Sequence, residues 1–272
     1  MTSTTGPREP MVLLHGVMGS AAMWREVTPL LSDDFDLLIP NALGHAGGRP
    51  RSGSSSTTIL DIVDDFERSL DESGVEKAHL VGNSMGGWAA LELARRGRAL
   101  SVCALSPAGM WDGDAISSTS TDSETRRKLR SARRRGRLFR PALPVALKIA
   151  KIRRFALADQ SVHGDRVAAK AIVQVVDDML ACTVAEDLLA TDESFPLLDP
   201  LPCPVLVAWS ARDRIFPVKH FEPRARLMLP AAQFRRLDDC GHVPMFDNPT
   251  LVADTIRAAV LLCPDPTKGD SP

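Results

Sequence analysis

Several features are scarce in this 272-residue chain, and each scarcity excludes a class of protein. No stretch approaches the ~18 consecutive apolar residues a spanning helix requires. The first ten residues, MTSTTGPREP, have neither the basic start nor the apolar core of a signal peptide, so a cytoplasmic protein is expected. Cys103, Cys182, Cys203, Cys240 and Cys263 are odd in number and widely scattered. No two form a CxxC pair, so neither a zinc site nor a disulfide framework is expected. Neither sign of charge prevails: 33 basic face 34 acidic residues, which excludes a whole-molecule polyanion binder. Trp24, Trp88, Trp111 and Trp209 are not interleaved with basic residues, so nucleic acid is not an expected partner. There is no internal repeat.

What remains is ordinary for a globular chain, with 44% hydrophobic and 25% charged residues. Short, continuously apolar runs alternate with segments of helical period. The runs lie at 11–14, 36–39, 78–81, 100–105 and 204–209, with a weaker one at 233–237. Uninterrupted apolar strands suit a parallel sheet covered on both faces. Helices are expected at 58–73, 85–96 and 249–262, the first opened by a Thr58–Asp61 capping box and closed by Gly74. The alternation predicts a doubly wound α/β sheet. Residues 111–195 break it. They contain no apolar strand, and helical segments are expected near 164–181 and 183–190, so the interval reads as a helical insertion.

The stretch AHLVGNSMGGWAAL at 78–91 carries the chemistry. Gly82-Asn83-Ser84-Met85-Gly86 is a G-x-S-x-G pentapeptide between an apolar strand and an Ala- and Leu-rich helix, the context of a nucleophile elbow. A serine needs a base, an orienting acid and donors for the developing oxyanion. The base candidate is His242, in Asp239-Cys240-Gly241-His242, after the last strand. His79 lies in a strand, His220 opens a helix, and His45 and His163 sit in polar loops. The acid candidate is Asp213, at the carboxyl end of the strand 204–209. Asp238 and Asp239 compete, but near sequence neighbours rarely reach the far ring nitrogen. Oxyanion donors are expected from the backbone N–H groups of Met85 and of Val17, in Leu14-His15-Gly16-Val17-Met18-Gly19. His15 braces that loop rather than performing chemistry. Met18, Met110 and Val243 are the candidates for an apolar pocket wall, with Met245 nearby.

With these motifs in the order serine, aspartate, histidine, the chain resembles the α/β-hydrolase superfamily over nearly its whole length. The resemblance implies a core of residues 1–110 and 196–272 and a helical cap of 111–195, with no metal or organic cofactor. There are two departures. Ten residues precede Met11, so the antiparallel strand pair that usually precedes the His-Gly strand is expected to be missing, which would leave about six parallel strands and make the strand near 36–40 an edge. An exposed edge invites pairing, so monomer and homodimer both stay open. The loop after that strand keeps its glycines but begins with Asn41 where relatives carry an aspartate. Serine as nucleophile argues against the epoxide hydrolase and haloalkane dehalogenase branches, which use aspartate. The expected reaction is cleavage of a carboxylic ester with an apolar acyl group through an acyl-enzyme. Carbon–carbon hydrolysis, thioester hydrolysis, perhydrolysis and non-catalytic ligand reception are the alternatives on the same fold.

Arg126–Arg154 holds 13 basic residues and no acidic ones. One reading is a solvated face whose arginines pair with acids elsewhere. The sharper reading is a cap that draws in anionic substrates or touches an anionic lipid surface, with Leu143, Leu147, Ala150, Ile149, Ile152 and Phe155 as an apolar underside facing the pocket.

Overall fold

The computed structural model describes residues 8–111 and 120–263. The first seven residues and the polar start of the insertion, 112–119, lie outside the described residues. The six apolar runs form β1 (Glu9–Leu14), β2 (Phe35–Leu38), β3 (Ala78–Asn83), β4 (Ala99–Leu105), β5 (Val205–Ser210) and β6 (Gln233–Leu237). They make one sheet in the order β2-β1-β3-β4-β5-β6, and every pairing is parallel. β2 is an edge strand, as expected.

The period-2 geometry of a strand sorts consecutive apolar residues to opposite faces. Val12, Leu14, Leu80, Val102, Ala104 and Val207 join one core layer. Met11, Leu13, Val81, Cys103, Leu105 and Leu206 join the other. The first layer is closed by α2 (Ile59–Glu72), α3 (Met85–Arg95) and α9 (Val218–Met228); the second is closed by α1 (Thr28–Leu31) and α10 (Pro249–Val260). α2 begins with the capping box: Thr58 Oγ1 accepts from the Asp61 amide at 3.2 Å, and the Asp61 carboxylate accepts from the Thr58 amide at 2.7 Å.

Between β4 and β5 lie α4 (Ser120–Phe139), α5 (Leu143–Ala146), α6 (Ala150–Ala156), α7 (Ala169–Ala181) and α8 (Ala185–Ala190), with no strand among the described residues. Its ends meet on a narrow stem. The Trp111 indole donates to Glu193 O at 2.7 Å, and the Phe195 amide donates to Gly109 O at 2.8 Å. α7 starts five residues later than the helical period implied. Residues 164–168 turn instead, because Gly164 packs on Leu157 and the Arg153 guanidinium donates to Asp165 O.

The expected apolar underside is divided. Leu143 and Leu147 are buried in the insertion's own cluster with Leu157 and Ile172, and Ile152 packs against it. Ile149, Ala150 and Phe155 face solvent. The short α5 and α6 offer one inward row of side chains each, and that row is consumed in packing on α7.

Candidate active site

Chain order reverses between β1 and β3, and ligand sites of open α/β sheets sit at the carboxyl ends of strands beside such a switch. Ser84 directly follows β3, at φ 57° and ψ −118°, a conformation that L-residues rarely adopt. The surrounding glycines answer to clearance rather than to φ. A Cβ on Gly82 would stand 2.0 Å from Gly86 O, and one on Gly86 would stand 2.2 Å from Leu14 O. Strand, turn and helix touch backbone to backbone, and the serine takes the strain. Its amide donates to Leu105 O at 3.0 Å, and its carbonyl accepts from Gly87, Trp88 and Ala108.

Asp213 follows β5 and is fully engaged. Its Oδ1 accepts from the amides of Ile215 (2.8 Å) and Phe216 (2.7 Å), and its Oδ2 accepts from His242 Nδ1 at 2.8 Å. The carboxylate is an acceptor, so Nδ1 carries the proton and Nε2 is left with its lone pair. Phe216 stands edge-on to the imidazole, ring centroids 5.0 Å apart. Asp239, the sequence neighbour, pairs with His163 Nε2 at 2.6 Å instead. Ser84 and His242 line one cavity, together with Val17, Met18, Met85, Val243, Trp88, Trp111 and Phe216. Among the described residues, no protein acceptor is paired with the amide of Val17 or of Met85. Met110 is not on that wall. Gly109 turns the chain at φ 85° against Trp88, and Met110 packs 1% exposed in the core. Met245 is likewise buried in the opposite core layer.

Several supporting groups escape sequence reasoning. Asn83, inside the elbow, donates to His242 O at 2.9 Å and to Leu105 O at 3.1 Å, joining the Ser84 and His242 loops. His15 accepts from the Ala42 amide through Nε2 (3.0 Å), so Nδ1 carries the proton toward Gly16 O (2.8 Å). That brace is neutral: burial, with help from His45, lowers its pKa to about 3. His45 lies in a loop, as expected, but is not solvated there. It is buried 5.1 Å from the His15 ring, and burial lowers its pKa to about 4. Asn41 supplies the acceptor at the place of the absent aspartate, taking the Ala21 amide at 2.7 Å. Cys240 is buried, and desolvation pushes its thiol up to about 12, so it is an inert neighbour of His242.

The insertion reaches each loop of the site. Asp178 of α7, buried on the cavity wall, accepts from Ser20 Oγ at 2.6 Å beside the Val17 loop. Thr125 Oγ1 donates to Ile215 O at 2.8 Å beside Asp213. Gln160 O accepts from the Val243 amide at 2.8 Å. Asp247 accepts from Ser161 Oγ (2.6 Å), the His163 amide (2.8 Å) and the Gly241 amide (2.7 Å), tying the insertion to the base loop.

A family profile described as "Alpha/beta hydrolase family" matches residues 11–255. The chain belongs to that family. Among sequence relatives, this α/β hydrolase is 33% identical over 213 residues to epoxide hydrolase EphH of Mycobacterium tuberculosis, covering 74% of this chain and 94% of that one. It is 29% identical to the pimeloyl-[acyl-carrier protein] methyl ester esterase of Aromatoleum aromaticum, covering 92% of this chain and 99% of that one. Among solved structures, the α/β hydrolase resembles a thermophilic esterase from Thermogutta terrifontis, with TM-score 0.68 and 24% identity over 95% of this chain and 92% of that one. No helix among the described residues is long and apolar enough to cross a membrane.

Proposed function

We propose that this α/β hydrolase is a serine esterase that cleaves small carboxylic esters with an apolar acyl group through an acyl-enzyme. The observation that carries this reading is the His242 Nδ1–Asp213 contact of 2.8 Å in the cavity that Ser84 also lines. Ser84 Oγ attacks the ester carbonyl carbon while His242 Nε2 takes the hydroxyl proton. The carbonyl oxygen becomes an oxyanion beside the amides of Val17 and Met85. As the carbon–oxygen bond breaks, His242 returns the proton to the leaving alkoxide, and the alcohol departs. Water repeats the sequence on the acyl-serine, releasing the acid and regenerating the enzyme. Asp213 holds the imidazole tautomer throughout and stabilises the imidazolium.

The name of the mycobacterial relative raises epoxide hydrolysis as the competing reaction. Its chemistry does not suit a serine: attack on an epoxide carbon leaves an alkyl ether with no carbonyl for water to attack, so turnover stops. The apolar walls, Trp88, Trp111, Phe216 and Met18 among them, support an apolar acyl group. The five cysteines, none in a disulfide, support a cytoplasmic location. The test is hydrolysis of a p-nitrophenyl ester series of increasing acyl length, with styrene oxide in parallel. Ester turnover that falls by at least about a thousandfold in Ser84→Ala supports the reading. Diol formation from styrene oxide without ester turnover sinks it.

A further inference from the structure

The basic segment of the insertion divides into two populations. Seven of its cations are engaged: Arg126, Lys128, Arg130, Arg133, Arg135, Arg140 and Arg153 meet carboxylates, hydroxyls or carbonyls of the chain. The other six, Arg127, Arg134, Arg137, Lys148, Lys151 and Arg154, are exposed and make no ion pair or hydrogen bond among the described residues. A second anomaly coincides with the first. Ten large hydrophobic side chains are exposed among the described residues, and five of them fall between Leu138 and Phe155: Leu138, Phe139, Val145, Ile149 and Phe155, at 54–79% exposure.

The two sets share helix faces. Arg134, Arg137 and Leu138 stand at i, i+3 and i+4 of α4; Lys151, Arg154 and Phe155 repeat that spacing on α6. Positions so spaced form one patch on a helix. The opposite sides pack inward: Gly136 lies against Met179 of α7, and Ile152 packs on the cluster containing Ile172 of α7. Each helix thus turns the same cation–cation–apolar pattern to solvent. Burying five apolar side chains would be favourable, and among the described residues nothing covers them.

We propose that this outer face of α4–α6 docks the protein on the surface of an anionic phospholipid bilayer. Six free cations with no acid between Arg126 and Arg154 match a layer of negative headgroups. The aliphatic side chains among them select lipid over nucleic acid, since Leu138, Val145 and Ile149 cannot stack on bases but insert at the headgroup–acyl boundary. Phe246 packs against the cluster of Leu143, Leu147, Leu157 and Ile172 beneath these helices and also lines the Ser84 cavity. This inference does not depend on which bond the site cleaves.

Co-sedimentation of the full chain with phosphatidylcholine vesicles, with and without phosphatidylglycerol, tests it at low and high salt. Binding to the anionic vesicles alone, weakened by salt, is expected. Reversing Lys148, Lys151 and Arg154 together to Glu lowers that partition about a hundredfold, on roughly tenfold or less per charge. Ile149→Ser with Phe155→Ser, which leaves every cation in place, lowers it about tenfold. Circular dichroism of both variants matches wild type, because all five positions are exposed. Equal partition to both vesicle types, or an unchanged triple variant, overturns the proposal. So does an unaffected apolar double variant, and so does binding to a DNA duplex in preference to the vesicles.

Discussion

At the nucleophile elbow, every constraint comes from the α/β core. The backbone of α3 meets that of β3 at Gly82 and that of β1 at Gly86 so closely that no side-chain atom fits on either glycine, and the Ser84 amide is held by β4. At the histidine loop, the core and the insertion share the constraints. A Cβ on Gly241 would stand 2.7 Å from Gln160 O, the Val243 amide donates to that same carbonyl, and Asp247 clasps Ser161 and His163. One half of the site is thus a by-product of folding the sheet. The other half is completed only when the insertion has docked. The difference teaches where change is tolerated: the elbow admits almost none, whereas changes in the insertion retune the site without unfolding the core.

The comparison breaks most sharply where the acid is removed. Asp213→Asn keeps the shape of the base loop but loses the charge that orients His242, so kcat for an ester falls about 10³–10⁴-fold in stopped or continuous assays, with unfolding little changed. Gly86→Ala attacks the elbow instead. Its Cβ would press on Leu14 O and His15 O, both backbone atoms that cannot turn aside, so denaturant unfolding shows a loss of about 3–5 kcal/mol or no folded protein.

Acid sharpens the contrast next, because the neutral histidines His15 and His45 brace the Val17 side of the site. Their native pKa values, about 3 and about 4, lie below the 6.5 of an unfolded histidine. The unfolded chain therefore binds more protons as pH falls below 6.5, and the stability present above 6.5 is lost progressively toward pH 3–4. At pH 5 each histidine costs about 2 kcal/mol relative to pH 7 or above. Urea titrations at the two pH values should differ less in His15→Gln than in wild type by about that amount.

The smallest effect is expected from Asp247→Asn, which weakens the clasp between insertion and base loop. A fall of roughly tenfold in kcat is expected, with KM less affected and urea unfolding within about 1–2 kcal/mol of wild type. An equal loss in stability and activity would instead mean that the histidine loop and the core unfold as one unit, and that the two halves of the site are not held differently.

Much of this was legible beforehand because it depends on periodicity and on local geometry. Six apolar runs fell on six strands, and the glycines around Ser84 betrayed a close approach of backbones. Asp213 and Asp239 differ on a physical ground: two residues with only two between them rarely let a carboxylate reach the distal side of an imidazole. What escaped was contact between distant segments. Ser20 and Asp178 lie 158 positions apart, and Asn83 and the His242 carbonyl 159 apart, with no local pattern to announce either pair. Its surroundings in sequence likewise concealed the burial of His45, which packs against the His15 ring from a distant part of the chain.

By itself, then, the amino-acid sequence determined the parallel sheet, the elbow and the identity of the serine, histidine and aspartate at its strand ends. Alternating apolar runs, a steric demand for glycine and chain order are properties that a linear string contains. Only the tertiary structure decided which cations of the insertion find partners, which apolar residues remain outside, and how the insertion grips each loop of the site. Those outcomes depend on which helix faces are used up in packing on α7, and a short helix has two sides that sequence spacing alone does not rank.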